Sequence, residues 1–388
     1  MQIPSVLSSR AQRGLDGCCL PYQELKELWK TQRMSGEVDE KRLQPSSFEP
    51  VLSEEAYWIR FQGTGGFRLR KGQSVQDALS AVDPANITRV DISQGETIRP
   101  GETWLVKLKD AITVRKGEYV KASPKSSIGR CFLFVRLIAD NHTSFDEITG
   151  EDTLAAKEDV HTQLWVLLQP LTFSHIIAPD VSVLQLRWFR GFDARLTDAE
   201  LHALFSENTP LLSGKYPVIM EGLQVHLDLV GEESAGVTGL RARPNPRPID
   251  LRNTGVLDPR EYFDIIRSPE GRYVMKKGEH CLFLTKERLI TPSYLNMELR
   301  AHWGGSFAGP KHFAGFIDNG FSRRLVLEVR SDEIDDVELV DGMPIGKLDV
   351  YWTGETEKVY GADIGSNYAT QKGPQPSKHF TSFDWSAL

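Results

Sequence analysis

At 388 residues, with 40% hydrophobic and 26% charged content, the chain has the make-up of a soluble globular protein and exceeds one ordinary domain. A net charge of −7 excludes a global basic field that would recruit nucleic acid, so any anion site must be local. No apolar run approaches the ~20 residues of a bilayer span, the N-terminus lacks a signal-peptide core, and no Cys-x-x-Cys occurs among Cys18, Cys19, Cys131 and Cys281, which fits a reducing cytosol.

Residues 1–20 read as a poorly structured lead. Leu25, Leu28 and Trp29 then recur at i, i+3 and i+4, which predicts an amphipathic packing helix over 22–34. From about residue 45 short alternating runs are cut by Gly, Pro, Asn and Asp. Tyr57–Phe61, Thr103–Leu108, Cys131–Ile138 and Leu164–Leu168 are such runs, and they predict a sandwich or jelly roll. Between two of them, Ser123-Pro-Lys-Ser-Ser-Ile-Gly-Arg130 gathers hydroxyls, a glycine and two cations. A turn of that content can present Ser126 and Ser127, free N–H groups and the Arg130 fork to one anion. It is not a Walker loop, and similar turns are common on surfaces.

Thr197-Asp-Ala-Glu200 is a capping box ahead of Leu201, Leu204 and Phe205, a short helix that closes the first half. Glu207–Pro217 reads as the linker. The second half then repeats the first weakly. Gly101-Glu-Thr-Trp-Leu105 recurs as Gly278-Glu-His-Cys-Leu282, each before a strand and a charged turn, Lys109-Asp110 or Lys286-Glu287. Phe145-Asp146 precedes Leu164–Leu168 as Ile317-Asp318 precedes Leu325–Val329. The ordered series points to duplication of one β-fold. The expected organisation is a lead and helix over 1–42, a first β domain over 43–206, a linker over 207–217 and a second β domain with a tail over 218–388.

Several chemistries lack their residues. None of the nine histidines begins His-x-Glu, so the zinc deaminase signature is missing and no zinc is expected. There is no Gly-x-Ser-x-Gly elbow. Cys131 lies in an apolar run and reads as a core residue. Glu328, inside Leu325-Val-Leu-Glu-Val329, shares a strand face with Val326 and Arg330. A buried carboxylate there suits a proton shuttle, with desolvation raising its pKa; the alternative is a residue facing solvent or paired with Arg330. The tail Tyr360–Pro374 is Gly-rich but keeps two tyrosines and Gln371, which fits a segment that orders over a ligand. The alternative is a loop docked on its own barrel.

Three ordered motifs carry a family resemblance. They are Pro124–Arg130 with Leu137-Ile-Ala-Asp140, Ala314–Phe321 with Val326–Ser331, and Tyr360–Tyr368 with Gln371 and Ser377–Phe380. Together they resemble the dCTP deaminases of the dUTPase-like superfamily, in their long two-domain bacterial form. The resemblance implies a mainly β fold of two tandem dUTPase-like distorted jelly-roll barrels with a few short helices. It implies hydrolytic deamination of dCTP to dUTP and ammonia, supplying dUTP for thymidylate synthesis, by a hydrolase acting on the C–N bond of a cyclic amidine. Under it Glu328 is the catalytic glutamate, and Ser126 and Arg130 hold nucleotide and position the reactive water. Lys125, Ser127, Gly129, Ala139, Asp318, Val326, Tyr360, Asn367 and Gln371 fall on substrate-binding positions. Lys125 replaces a usual arginine, and Asn367 stands where single-domain enzymes have a phosphate-binding lysine. Mg²⁺ would arrive with the triphosphate.

The copies also differ. Leu167 occupies the first-half position matching Glu328, and Arg300-Ala-His-Trp-Gly-Gly-Ser306 replaces the serine–arginine loop in the second half. Each half lacks what the other keeps, so Ser126 and Arg130 are expected to work with Glu328. Two alternatives stay open: a dUTP/dCTP diphosphatase or bifunctional deaminase–diphosphatase using Asp318, and a non-catalytic nucleotide-binding protein, motivated by Leu167 and Asn367. The expected partners are dCTP or dUTP, with no nucleic acid and no membrane. The expected assembly is a domain-paired chain, as a homodimer or trimer, in the cytoplasm.

Overall fold

The computed structural model describes residues 3–36, 39–60, 67–150, 161–214, 217–244, 247–301, 314–331, 336–361, 363–365, 367–368 and 371–382. The chain forms two compact units, built mainly of antiparallel strands with a few short helices. The amino-terminal unit is Cys19–Phe192 with Asn245–Thr254. The carboxy-terminal unit is Met1–Cys18, Asp193–Pro244 and Gly255–Leu388. Among the described residues no helix is long and apolar enough to cross a membrane.

The amino-terminal unit opens with helix α1 (Tyr22–Lys30), which buries Leu25, Leu28 and Trp29. It stops four residues short of the expected end, because Gln32 takes a left-handed φ of 57°. Its strands are β1 (Leu52–Ile59), β2 (Ile87–Asp91), β3 (Glu96–Ile98), β4 (Thr103–Ile112), β5 (Glu118–Pro124), β6 (Leu133–Ala139), β7 (Glu147–Thr149), β8 (Thr162–Pro170), β9 (His175–Ile177) and β10 (Leu184–Arg190). One sheet runs in the order β2–β1–β4–β8–β6. β10, β5 and β7 pair in a second. β3 and β9 make a third, in which Ile249–Asp250 adds a short parallel strand beside β9. Helices α2 (Val75–Ser80) and α3 (Ser126–Gly129) complete the unit.

The carboxy-terminal unit has α4 (Asp198–Ser206) and strands β11 (Leu223–Asp228), β12 (Gly239–Ala242), β13 (Phe263–Ile266), β14 (Arg272–Met275), β15 (His280–Arg288), β16 (Leu295–Ala301), β17 (Phe316–Ile317), β18 (Arg324–Arg330), β19 (Val337–Val340) and β20 (Pro344–Trp352). Its main sheet runs β13–β12–β15–β11–β20–β16–β17, with β18 also on β15. β14 and β19 form a separate ribbon.

The internal repeat is visible in the pairing. β4 and β15 each begin two residues after a left-handed glycine, Gly101 or Gly278. In β4 the register shifts between Lys107 and Ala111, and in β15 between Leu284 and Arg288. Lys109-Asp110 and Lys286-Glu287, expected as charged turns, are bulges inside continuing strands. A bulge releases residues from the ladder, and each set of charges finds partners there. Asp110 accepts from Val51 N–H at 2.9 Å and pairs with Arg42. Glu287 meets His226 Nδ1 at 2.6 Å.

Three segments lie elsewhere than their sequence position suggests. The capping box forms as expected, with Thr197 Oγ1 accepting from Glu200 N–H at 3.2 Å. The helix it starts, however, buries Leu201 and Leu204 in the carboxy-terminal core. The lead is ordered over its described residues: Leu7 joins that core, and buried Arg10 meets Glu200 at 2.6 Å. In the expected linker, Leu211 and Leu212 are buried in the same core, and residues 215–216 lie outside the described residues.

One buried network ties the end of α1 to the second sheet of the amino-terminal unit. Arg33 donates to Glu118, with one contact at 3.1 Å, and to Thr113 O at 2.9 Å. Trp188 Nε1 and Arg115 N–H also donate to Glu118, at 3.2 and 3.1 Å. Burial pushes the Glu118 carboxyl up, but Arg33 and these donors together hold it below its usual value. Glu118→Gln would leave Arg33 buried beside a neutral partner and should lower unfolding stability by roughly 3 kcal/mol at pH 7. A carboxyl held low in the folded state stabilises fully above its unfolded value, about 4.3, and that contribution is lost as pH falls through the folded value. Urea unfolding of both proteins at pH 7 and pH 3 checks this. The difference should shrink at pH 3, and an equal difference at both pH values counts against the network.

Candidate functional site

The serine-rich loop follows directly from β5. Lys125, in extended backbone, caps the single turn of α3. Ile128 and Gly129 N–H groups donate to Lys125 O at 2.8 and 2.9 Å, and Arg130 N–H donates to Ser126 O at 3.0 Å. Phe132, at a left-handed φ of 53°, ends the turn before β6. The loop is thus closed on itself, unlike the open anion-presenting turn that its composition suggests. Lys125 pairs with Glu49, and its N–H donates to Val183 O at 3.2 Å. Ser127 and Gly129 are buried. Arg130 is 2% exposed, and its Nε donates to Ser126 Oγ at 3.1 Å. The structure therefore brings Ser126 and Arg130 together. Ala139 ends β6 opposite Leu164 and is also buried.

Carboxylates flank that strand. Burial pushes Asp140 above its ordinary value, against the Val75 N–H that donates to it at 2.8 Å. Burial likewise pushes Asp146 up to about 6, although Arg136 pairs with it and Leu137 N–H donates at 2.7 Å.

In the other unit Glu328 sits in the middle of β18, opposite Leu282 of β15. It is 1% exposed and accepts from Ala314 N–H at 3.4 Å. Val326, on the same strand face, is buried too, while Leu327 and Val329 on the opposite face join the hydrophobic core of the unit. Glu328 is therefore buried and does not face solvent. The two units use one register here. Leu105 faces Leu167 across β4 and β8, as Leu282 faces Glu328 across β15 and β18. Leu167 is therefore the positional counterpart of Glu328. Residues 302–306 of the segment that stands for the serine–arginine loop lie outside the described residues.

Asp318 starts the turn after β17, with Phe321 N–H donating to Asp318 O at 3.1 Å. Two turn residues that the sequence reading passed over organise this corner. Asn319 Nδ2 donates to Ser293 O at 2.9 Å and Thr353 Oγ1 at 2.8 Å, while the Asn319 backbone carbonyl accepts from Tyr360 N–H at 2.8 Å. Gly320 sits at φ 87°, where an added Cβ would lie 2.8 Å from Val359 Cβ. The Tyr360 ring packs on Phe321 with centroids 5.4 Å apart. The Asn-Gly pair was the available signal, since it marks a tight turn.

The tail returns to the strand that carries Glu328. Buried Gln371 donates through Nε2 to Arg324 O, the first residue of β18, at 2.7 Å. The Arg324 guanidinium in turn meets Asp228 at 2.6 Å. Farther on, Phe380 packs against Tyr262 and Phe263, and Lys378 N–H donates to Tyr368 Oη at 3.0 Å. Over its described residues the tail is docked on its own unit, with Asn367 exposed to solvent. Asp318, Val326, Glu328, Tyr360 and Gln371 thus stand on linked elements of one unit. Lys125, Ser126, Ser127, Gly129, Arg130 and Ala139 stand on linked elements of the other. Among the described residues no group of three or more His, Cys, Asp or Glu side chains is placed to hold a metal.

Gly320→Ala should strain the left-handed turn and push Val359 away, at a cost of about 1–3 kcal/mol. Hydrogen exchange at Tyr360 N–H should quicken with it. Unchanged exchange there would show that the turn does not hold the tail.

Comparison with known proteins places the chain in a family. The family description "2'-deoxycytidine 5'-triphosphate deaminase (DCD) N-terminal domain" matches residues 16–192, and its C-terminal counterpart matches residues 197–380. Among curated proteins, "dCTP deaminase, dUMP-forming" of Corynebacterium diphtheriae is 32% identical over 136 residues, which is 33% of this chain and 73% of that protein. The protein of the same name from Corynebacterium jeikeium is 30% identical over 158 residues, 36% of this chain and 84% of that protein. A crystal structure of 2'-deoxycytidine 5'-triphosphate deaminase from Agrobacterium tumefaciens shares the fold at a TM-score of 0.78 and 23% identity, over 88% of this chain and 99% of that one. The chain belongs to the dCTP deaminase family.

Proposed function

We propose that the protein is a hydrolase that deaminates dCTP, releasing ammonia, with Glu328 as its acid–base group. The observation that carries the reading is a carboxylate at 1% exposure in the middle of a β-strand, in a chain of this family. A buried carboxylate in a strand is costly for a fold unless its surroundings stabilise it, and it is useful for moving protons.

In this reading Glu328 takes a proton from a water that attacks C4 of the cytosine ring. It passes that proton to ring nitrogen N3, then takes the proton of the new C4 hydroxyl and gives it to the leaving amine. The C4–N bond breaks, ammonia departs and a C4 carbonyl remains. Ser126 orients the water, and Arg130, which already holds Ser126 Oγ at 3.1 Å, supplies positive charge to the developing oxygen and to phosphate. Val326 forms a wall for the pyrimidine, Asp318 receives the deoxyribose, and Tyr360 and Gln371 cover the nucleotide. Lys125, Ser127, Gly129, Ala139 and Asn367 complete the binding set, with Lys125 shared with Glu49. Mg²⁺ enters with the triphosphate as part of the substrate. The product dUTP would feed thymidylate synthesis in the cytoplasm.

A second reading adds cleavage of the diphosphate, so that dUMP leaves instead of dUTP. The name that both Corynebacterium relatives carry, "dCTP deaminase, dUMP-forming", favours it.

Incubation with dCTP and Mg²⁺, with ammonia, dUTP, dUMP and pyrophosphate measured separately, distinguishes these outcomes. Ammonia with dUTP supports the first reading, and ammonia with dUMP and pyrophosphate the second. dCTP binding without ammonia would make the chain a nucleotide-binding protein. Glu328→Gln should reduce turnover by roughly 10²–10⁴-fold, because it removes a positioned acid–base group. Near-normal turnover would remove Glu328 from that role.

A further inference from the structure

We infer that the amino-terminal unit carries a closed copy of the nucleotide pocket, so that each chain takes up one nucleotide. The inference rests on the deaminase reading for the location of the working copy.

The strand register identifies the closed copy. Leu167 holds the place of Glu328, as shown above. Two residues away Lys107 faces Trp165 where Leu284 faces Val326, so Trp165 holds the place of the pyrimidine wall. Both replacements add apolar bulk where the other unit keeps a small aliphatic residue and a carboxylate. The bulk is fully used. Leu167 is 0% and Trp165 3% exposed, and they form one cluster with Tyr57, Phe67, Leu69 and Leu79. The Tyr57 and Trp165 rings lie 6.2 Å apart.

The cover over this cluster is fastened. Helix α2 supplies Val75 and Leu79 to it, and its capping box forms between Ser74 and Asp77. The first N–H of that helix donates to Asp140 at 2.8 Å, which ties the helix to the end of β6. The polar counterpart is also engaged. Asp146 stands in the sequence series where Asp318 stands in the other copy. It is bonded to Leu137 N–H at 2.7 Å and paired with Arg136, whose guanidinium lies 5.0 Å from the Phe145 ring centre. Opening a pocket here would expose the apolar cluster and break these bonds together. A cytosine ring offers no contact that would compensate.

Two measurements test the inference. Equilibrium dialysis of dCTP against the Glu328→Gln chain, which turns over slowly, should saturate at one nucleotide per chain. Saturation at two overturns the inference. The second measurement needs no nucleotide. In a Cys18→Ser background, Leu167→Cys puts a thiol inside the cluster. Its reaction with a small aromatic disulfide should run at least about 100-fold slower in the native chain than in denaturant, because it waits on local opening. Equal rates, with the native fold retained by circular dichroism, overturn the inference. If no dCTP binds at all, the deaminase reading fails, and the thiol rate decides the closed pocket on its own.

Discussion

The structure turns on one cross-strand position used twice. In each unit a bulged strand that follows a Gly-Glu turn pairs with a second strand, and a leucine on the first faces a buried residue on the second. In one unit that residue is Leu167 and in the other it is Glu328, and both are out of solvent. A leucine there is what a β-core favours. A carboxylate there has to be stabilised by its surroundings, and it reorganises the demands on everything near it. The side-chain period of two leaves no freedom to evade this, since a slip of one residue would put Glu328 on the face that Leu327 and Val329 present to the hydrophobic core.

Around Glu328 the carboxy-terminal unit is arranged by backbone bonds from small polar side chains. Asn319 joins three segments, and Gln371 anchors the tail to the start of the strand that bears the glutamate. Around Leu167 the amino-terminal unit is arranged by apolar packing under a capped helix. Duplication followed by this exchange separates two tasks. One copy buries a full apolar cluster, while the other keeps the carboxylate to which the proposed function assigns proton transfer. The serine–arginine loop survives in the copy that lost the carboxylate.

Much of this was legible in the sequence because it is local or periodic. Alternating runs marked the strands, Thr197-Asp-Ala-Glu200 marked a helix start, and matched Gly-Glu turns kept the two halves in register closely enough to set Leu167 against Glu328. What escaped depends on contacts between distant residues. A capping box tells where a helix begins but not which core receives Leu201 and Leu204. Nothing near Arg10 announces Glu200, so the lead read as unstructured. Charged pairs in a strand look like turns unless the register on both sides is known. Lys125 read as a free cation because its partner, Glu49, is far away in sequence. The fold and the candidate carboxylate were therefore readable, and the engagement of the polar groups around them was not.

The most direct test is a crystal structure of the Glu328→Gln chain with dCTP. The account predicts one nucleotide per chain. The cytosine C4 side should lie within about 3 Å of residue 328, or one water away from it. Density for the base beside Leu167, or a cytosine remote from residue 328, would contradict it.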